Sequence, residues 1–327
     1  MSFGVLLGAV VLALTAVWFV HAVDKAGPSD SPVIYDVPKG ASVKSIARTL
    51  EKKGVIESAL IFEVYARVRE ADKPLQAGEY HLEPGISIKD ILGKLRDGDI
   101  ILHQITIPEG LTNYQIKKLI HDNDVLTGDI TDMPPEGYLL PETYSFRKGL
   151  SRQDMIDRMN KAKKDLLSGL WPQRQKDLPI DTMHEAVTLA SIVEKETAVA
   201  DERDKVAGVF INRLRKGMRL QSDPTVIYAL TDGKPEEDGR GPLGRRLLRK
   251  DLQIDSPYNT YKYAGLTPGP ICNPGKESLE AVLNPQEHEY IYFVADGTGG
   301  HAFAQTLDEH NKNVAAWRKI RRQQNAQ

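Results

Sequence analysis

The 327-residue sequence holds a single cysteine, Cys272, so no intramolecular disulfide can brace the fold. No cluster of His or Cys at ligand spacing accompanies Cys272, which argues against a zinc site, and the chain is expected to work without metal or cofactor. Charge of either sign is not in excess: 43 basic against 45 acidic residues leave a formal net charge of -2, so there is no electrostatic reason to expect a nucleic-acid partner. A repeat of fixed period is also lacking, which excludes a solenoid. Long apolar runs are scarce too, with one exception at the start of the chain.

That exception is Phe3–Val23, which contains no Asp, Glu, Lys or Arg. At a helical rise of about 1.5 Å per residue it reaches about 30 Å, the thickness of a bilayer core. A cleaved signal peptide competes with this reading, because Val20-His21-Ala22 weakly resembles a cleavage site. Such peptides have a basic start and an apolar run of about 7–15 residues. This run is longer and nothing basic precedes it, so an uncleaved transmembrane anchor over 3–23 is favoured. The positive-inside rule leaves orientation open, since Lys25 stands beside Asp24. Residues 24–32, rich in Gly, Pro, Ser and Asp, read as a linker.

A short pattern then recurs. Val37-Pro-Lys-Gly40-Ala-Ser42, Leu82-Glu-Pro-Gly85-Ile-Ser87 and Ile107-Pro-Glu-Gly110-Leu-Thr112 each lead into apolar residues six and ten positions after the glycine. The unit is a strand end, a glycine turn, a hydroxyl N-cap and a short amphipathic helix. Strands near Val33–Val37 and Gly78–Leu82 around two helices make residues 33–104 similar to a LysM-like module. LysM modules bind N-acetylglucosamine polymers, and a structural spacer is the alternative here.

Residues 105–320 read as a second, larger domain of mixed helices and strands, giving an α+β chain overall with 321–327 as a frayed basic tail. Its chemistry centres on Met183–Tyr228. Ala186, Leu189, Ala190, Val193 and Thr197 form one helical stripe, with Glu194 and Glu196 about 160° apart on its two edges. A carboxylate at such an edge can be partly desolvated and so gain a pKa suited to proton transfer; two solvated glutamates flanking a core helix are the plain alternative. A second amphipathic helix runs through Ala207, Phe210, Ile211 and Leu214 to a stop at Gly217, and Asp223-Pro224 reads as an N-cap and first helical residue. Thr231–Lys250, with four glycines and six Lys or Arg, reads as an exposed loop. Ser256–Gly275, dense in Tyr, Pro, Gly and Asn, reads as a rigid irregular wall, of the kind that often carries binding groups. Glu289–Ala295 and His301–Phe303 are expected as paired strands, and Thr306 as the cap of a last helix reaching about Trp317.

ASIVEKETAVADERDKVAGVFINRLRKGMRLQSDPTVIY, SPYNTYKYAGLTPGPICNPG and YFVADGTGGHAF together resemble the MltG/YceG-like endolytic murein transglycosylases of bacteria, over roughly Val33 to Trp317. The resemblance implies a single-pass inner-membrane protein with its catalytic domain outside the cytoplasm. It implies cleavage within nascent peptidoglycan glycan strands, beside the synthases (penicillin-binding proteins) that polymerise them. Carried over by position, the catalytic acid is Glu194, with Glu196 the second candidate. Other lytic transglycosylases share a looser pattern of glutamate, glutamine and Tyr-Asn. By that analogy Gln221, Tyr258 and Asn259 contact substrate. The loop Gly239–Lys250 departs from the match, which leaves any substrate role of Arg245, Arg246 or Arg249 in doubt. Asp223 and His301 read as structural. Two rivals remain: a hydrolase using Glu194 with Asp223, and a non-enzymatic wall-binding scaffold.

Overall fold

The computed structural model describes residues 3–69, 74–197, 199–236 and 242–324. They divide into two compact units, residues 1–104 with 145–149, and residues 105–144 with 150–327.

The first unit opens with α1 (Phe3–Asp24), followed by β1 (Val33–Val37), α2 (Val43–Lys52), α3 (Ala59–Val68), β2 (Gly78–Leu82) and α4 (Ile88–Asp97). β1 and β2 pair antiparallel, with Val33 opposite Leu82 and Tyr35 opposite Tyr80. This is the strand–helix–helix–strand order expected from the sequence. The face carrying Tyr35, Val37, Tyr80 and Leu82 is buried, and Ile46, Leu50, Phe62, Ile91 and Leu95 close the core over it. The recurrent hydroxyl-cap motif is realised as expected. Ser42 and Ser87 accept from the backbone N–H of Ser45 and Asp90, each three residues on. Gly40 and Gly85 turn at φ of 78° and 68°, where a Cβ would be strained.

The chain passes from one unit to the other within β3 (His103–Thr106) and again within β4 (Thr143–Phe146), its pairing partner.

The second unit contains α5 (Asn113–His121), whose cap Thr112 completes the third copy of the motif with a reciprocal bond from Gln115. It continues with α6 (Arg152–Leu170), α7 (Met183–Glu196), α8 (Arg203–Arg215), α9 (Asp223–Thr231) and α10 (Lys276–Leu283). The paired strands β5 (Tyr292–Ala295) and β6 (His301–Ala304) and the last helix α11 (Leu307–Gln324) complete it. α7 is the axis of this unit. Thr182 and Glu185 form a capping box at its start. Every residue from Ala186 to Val193 is buried, because α8, α9 and α10 all pack against it. It is therefore a helix buried all round rather than one apolar stripe with two wet edges.

Three smaller expectations change. Ser222, not Asp223, stands at the N-cap position of α9, so Asp223 is the first helical residue. β5 starts at Tyr292 rather than Glu289. α11 continues through Arg321, Arg322 and Gln324, so the basic segment is helical as far as it is described. Residues 325–327 of the expected tail, and 237–241 of the expected arginine–glycine loop, lie outside the described residues.

Candidate active site

Glu194 and Glu196 both sit in the last turn of α7, yet they meet different surroundings. Glu194 turns toward the start of α10. Its Oε2 accepts from Gly275 N at 3.0 Å and from Ser278 Oγ at 2.7 Å. Gly275 is the N-cap of α10 and has no side chain to satisfy the helix's free N–H groups, so Glu194 supplies the missing acceptor from another helix. A Cβ on Gly275 would collide with the Glu109 carboxyl, so a side chain there would push Glu109 away from Glu194. Below them lies Lys163, fully buried, donating from Nζ to Pro274 O at 2.5 Å. Burial pushes the Lys163 ammonium down to about 7, while Cys272, Glu194 and Glu109 pull the other way. The Glu109 carboxyl is held above its ordinary range, first by desolvation and then by the charge of Glu194. Periodicity does carry a signal for Lys163: it occupies an apolar position of α6, four residues after Met159 and four before Leu167.

Glu196 turns the other way. It keeps part of its surface open, but its carboxyl is desolvated enough to be pushed up to about 7. The Ser222 hydroxyl, which is buried and meets no partner in full hydrogen-bond geometry, pulls the value downward. The charge of Asp223 raises the value further, and His301 and Arg213 lower it. Each of these neighbours is itself held. Asp223 accepts from the Tyr261 hydroxyl at 2.6 Å. Arg213 donates from Nε to Ile291 O at 2.7 Å and from Nη1 to Leu220 O at 2.5 Å. Glu202 accepts from both His301 N and His301 Nδ1, at 3.0 and 2.7 Å. The sequence offers little to single out Arg213 or Tyr261, because both lie in stretches where a basic or aromatic residue is unremarkable.

The segment just before α9 runs past this carboxyl. Gln221 adopts φ of 52°, a left-handed conformation uncommon for a residue with a Cβ, and its side chain is exposed. Thr260 holds the segment there: Thr260 O accepts from Gln221 N, and Thr260 Oγ1 accepts from Ser222 N and bonds Thr225 Oγ1. Strain maintained by its surroundings is a common mark of a functional position.

The Tyr258-Asn259 pair divides. Asn259 is fully buried, and its amide donates to Leu252 O and Ile254 O while its oxygen accepts from Tyr261 N. It holds the wall together and has no free amide hydrogen to offer a ligand. The Tyr258 ring packs on Tyr228 with centroids 5.0 Å apart. Tyr228 lines a cavity of about 550 Å³ together with Lys195, Pro224, Ile227, Ile271 and Gln115. That volume is in the usual range for small-ligand sites. Gly110 also lines this cavity, and the Glu194 and Lys195 side chains lie against it. Arg245 is spent on a two-pronged ion pair with Asp251, at 2.6 and 3.0 Å.

The comparisons with known proteins agree on one family. Residues 35–316 match the model of the YceG-like family. The chain is 38% identical to the endolytic murein transglycosylase of Bacillus subtilis, over 87% of this chain and 84% of that protein. It is 32% identical to the endolytic murein transglycosylase of Streptococcus pneumoniae, where 86% of this chain covers 58% of the relative's length. A crystal structure of a YceG-like protein from Listeria monocytogenes superposes with a TM-score of 0.51 at 34% identity, covering 87% of this chain and 99% of that one.

Proposed function

The chain belongs to the YceG-like family, and from that premise we propose that it is an endolytic murein transglycosylase, with Glu196 as the single acid and base. It cuts the bond between N-acetylmuramic acid and N-acetylglucosamine inside a glycan strand. Glu196, protonated near neutral pH, gives its proton to the departing glycosidic oxygen. The C6 hydroxyl of the muramic residue closes on its own C1, and the carboxylate takes up the hydroxyl proton. Atoms balance without water, and the product is a 1,6-anhydro end. An ordinary glycosidase would need a second carboxylate as nucleophile or base.

The observation that carries the choice of Glu196 is the contrast between the two glutamates. The carboxylate of Glu194, to which position alone gave the catalytic role, is engaged by Gly275 and Ser278 at the head of α10. The carboxyl of Glu196 is desolvated and poised near 7. Gln221 and Tyr258 are the groups proposed to orient sugar substituents, with Asn259 as scaffold behind them. The LysM-like unit is proposed to hold the glycan strand. α1 is long and apolar enough to cross a membrane, and we assign it as a single-pass anchor with the rest of the chain on the extracytoplasmic side, near peptidoglycan synthases.

The test compares Glu196→Gln with Glu194→Gln on purified glycan strands, reading products by mass spectrometry. Glu196→Gln should abolish anhydro ends, and Glu194→Gln should keep a substantial fraction of them. The reverse ranking would return the role to Glu194. Reducing ends alone from the unaltered protein would support a hydrolase in which Asp223 is the second carboxylate. Binding of the strands without any cleavage by the unaltered protein would leave only the scaffold reading.

A further inference from the structure

α3 carries an apolar face that the fold does not cover. Leu60, Val64 and Val68, at four-residue spacing, are 70%, 36% and 73% exposed. At about 100° per residue they span roughly 80° of the helix surface. Ile61 and Tyr65 extend the same arc toward α1, while Glu63 and Arg67 stand on its far edge. The apolar surface is thus continuous from α3 to the apolar helix at the N-terminus.

The two helices run in opposite directions. Lys25, just past the end of α1, bonds Glu57, just before α3, at 2.7 Å. Two turns further along α3, the Tyr65 ring meets Phe19, with centroids 6.4 Å apart. α3 therefore runs back along α1 toward its N-terminal end.

Helix length then decides where α3 lies. Residues 5–18 of α1 are all exposed, whereas Phe19 packs on the core of the unit and Val23 is inside it. From Phe3 to Trp18 the helix is 16 residues long, or about 24 Å, which is short of a hydrocarbon core of about 30 Å. Spanning that core takes about 20 residues and so extends to about Ala22, past the level of Phe19 and Tyr65. Trp18 and Tyr65 then fall in the zone where aromatic rings concentrate. Arg69, over the Tyr65 ring at 5.8 Å, has a stem long enough to carry its charge back to water.

We infer that α3 enters the membrane boundary alongside the α1 span, with its Leu60–Val64–Val68 face turned to the lipid headgroup and acyl region. The inference rests on the reading of α1 as a span. The consequence is a first unit held at the bilayer by two helices rather than free to swing on a tether at Asp24.

The experiment uses the full chain in phosphatidylethanolamine–phosphatidylglycerol vesicles whose acyl chains carry bromine at a shallow position. Leu60→Cys, Val64→Cys and Val68→Cys are each labelled with bimane, as is Lys39→Cys, an exposed residue in the turn after β1. Cys272 is fully buried and stays unlabelled. All three α3 labels should be quenched several-fold more than the Lys39→Cys label. Quenching equal to that control, in protein that resists alkaline carbonate extraction, overturns the interfacial assignment alone. Extraction by carbonate overturns the span, and the assignment with it.

Discussion

Two residues apart on one helix, Glu194 and Glu196 show how far a single turn can separate chemistry. One carboxylate is engaged at a helix N-terminus, and the other is desolvated beside Asp223. The separation of about 160° between them follows from helix geometry and was legible in the sequence. Which of the two environments is the productive one was not, because α8 and α10 are brought to α7 by long-range packing. The difference sets a pH dependence. A general acid must be protonated, and Glu196 is raised from an ordinary 4.5 to about 7. The kcat/KM for anhydro-end formation is therefore expected to fall as pH rises past about 7, by about tenfold per unit. Asp223 raises the Glu196 value by its charge, so Asp223→Asn should move that break to lower pH. A profile flat to pH 9, or a break that Asp223→Asn moves upward, would sink the assignment.

At the scale of elements, local signals were readable where a few neighbouring residues decide the outcome. Ser42, Ser87 and Thr112 cap α2, α4 and α5 because a hydroxyl three residues before a free N–H is sufficient. The stop of α8 at Gly217, with φ of 63°, is local in the same way. The cap of α10 is not local, since its acceptor comes from Glu194, 81 residues earlier than Gly275. No sequence pattern near Gly275 announces it. This gives Glu194 a structural duty separable from catalysis. Glu194→Ala leaves the N–H of Gly275 and the hydroxyl of Ser278 without their acceptor and should cost about 1–2 kcal/mol of stability, in the range of a lost N-cap. Urea unfolding measures it, with Glu196→Ala as the comparison. Glu196→Ala removes a desolvated carboxyl that has no comparable bond and should cost less. Equal losses in the two variants would remove the distinction.

For the whole molecule, the strand–helix–helix–strand order of the first unit was readable from strand patterns and turn motifs, while the end of the N-terminal apolar run was not. Hydropathy marks Phe3–Val23 as one stretch and 24–32 as a linker, and nothing in that pattern separates lipid-facing residues from residues that enter a protein core. In the fold, Val23 is only 3% exposed among the core residues of the first unit, and Phe19 packs beside it. The expected linker is tied to the turn before α4: Gly27 N–H donates to Gly85 O at 3.1 Å, and Gly85 N–H donates to Ser29 O at 2.8 Å. The apolar N-terminal helix thus ends as part of the first unit. A chain shortened to begin at Lys25 loses Val23 and Phe19, whereas one beginning at Val17 keeps them. Burial of a valine side chain is worth roughly 1.5–3 kcal/mol. Native-state hydrogen exchange should therefore show protection of α2 and α3 amides lower by roughly thirtyfold in the shorter chain, a loss of about 2 kcal/mol. Amides of α7 and α10, in the other unit, serve as the internal reference and should exchange alike in both chains. Identical protection of α2 and α3 in the two would mean that the last turns of α1 act only as a tether.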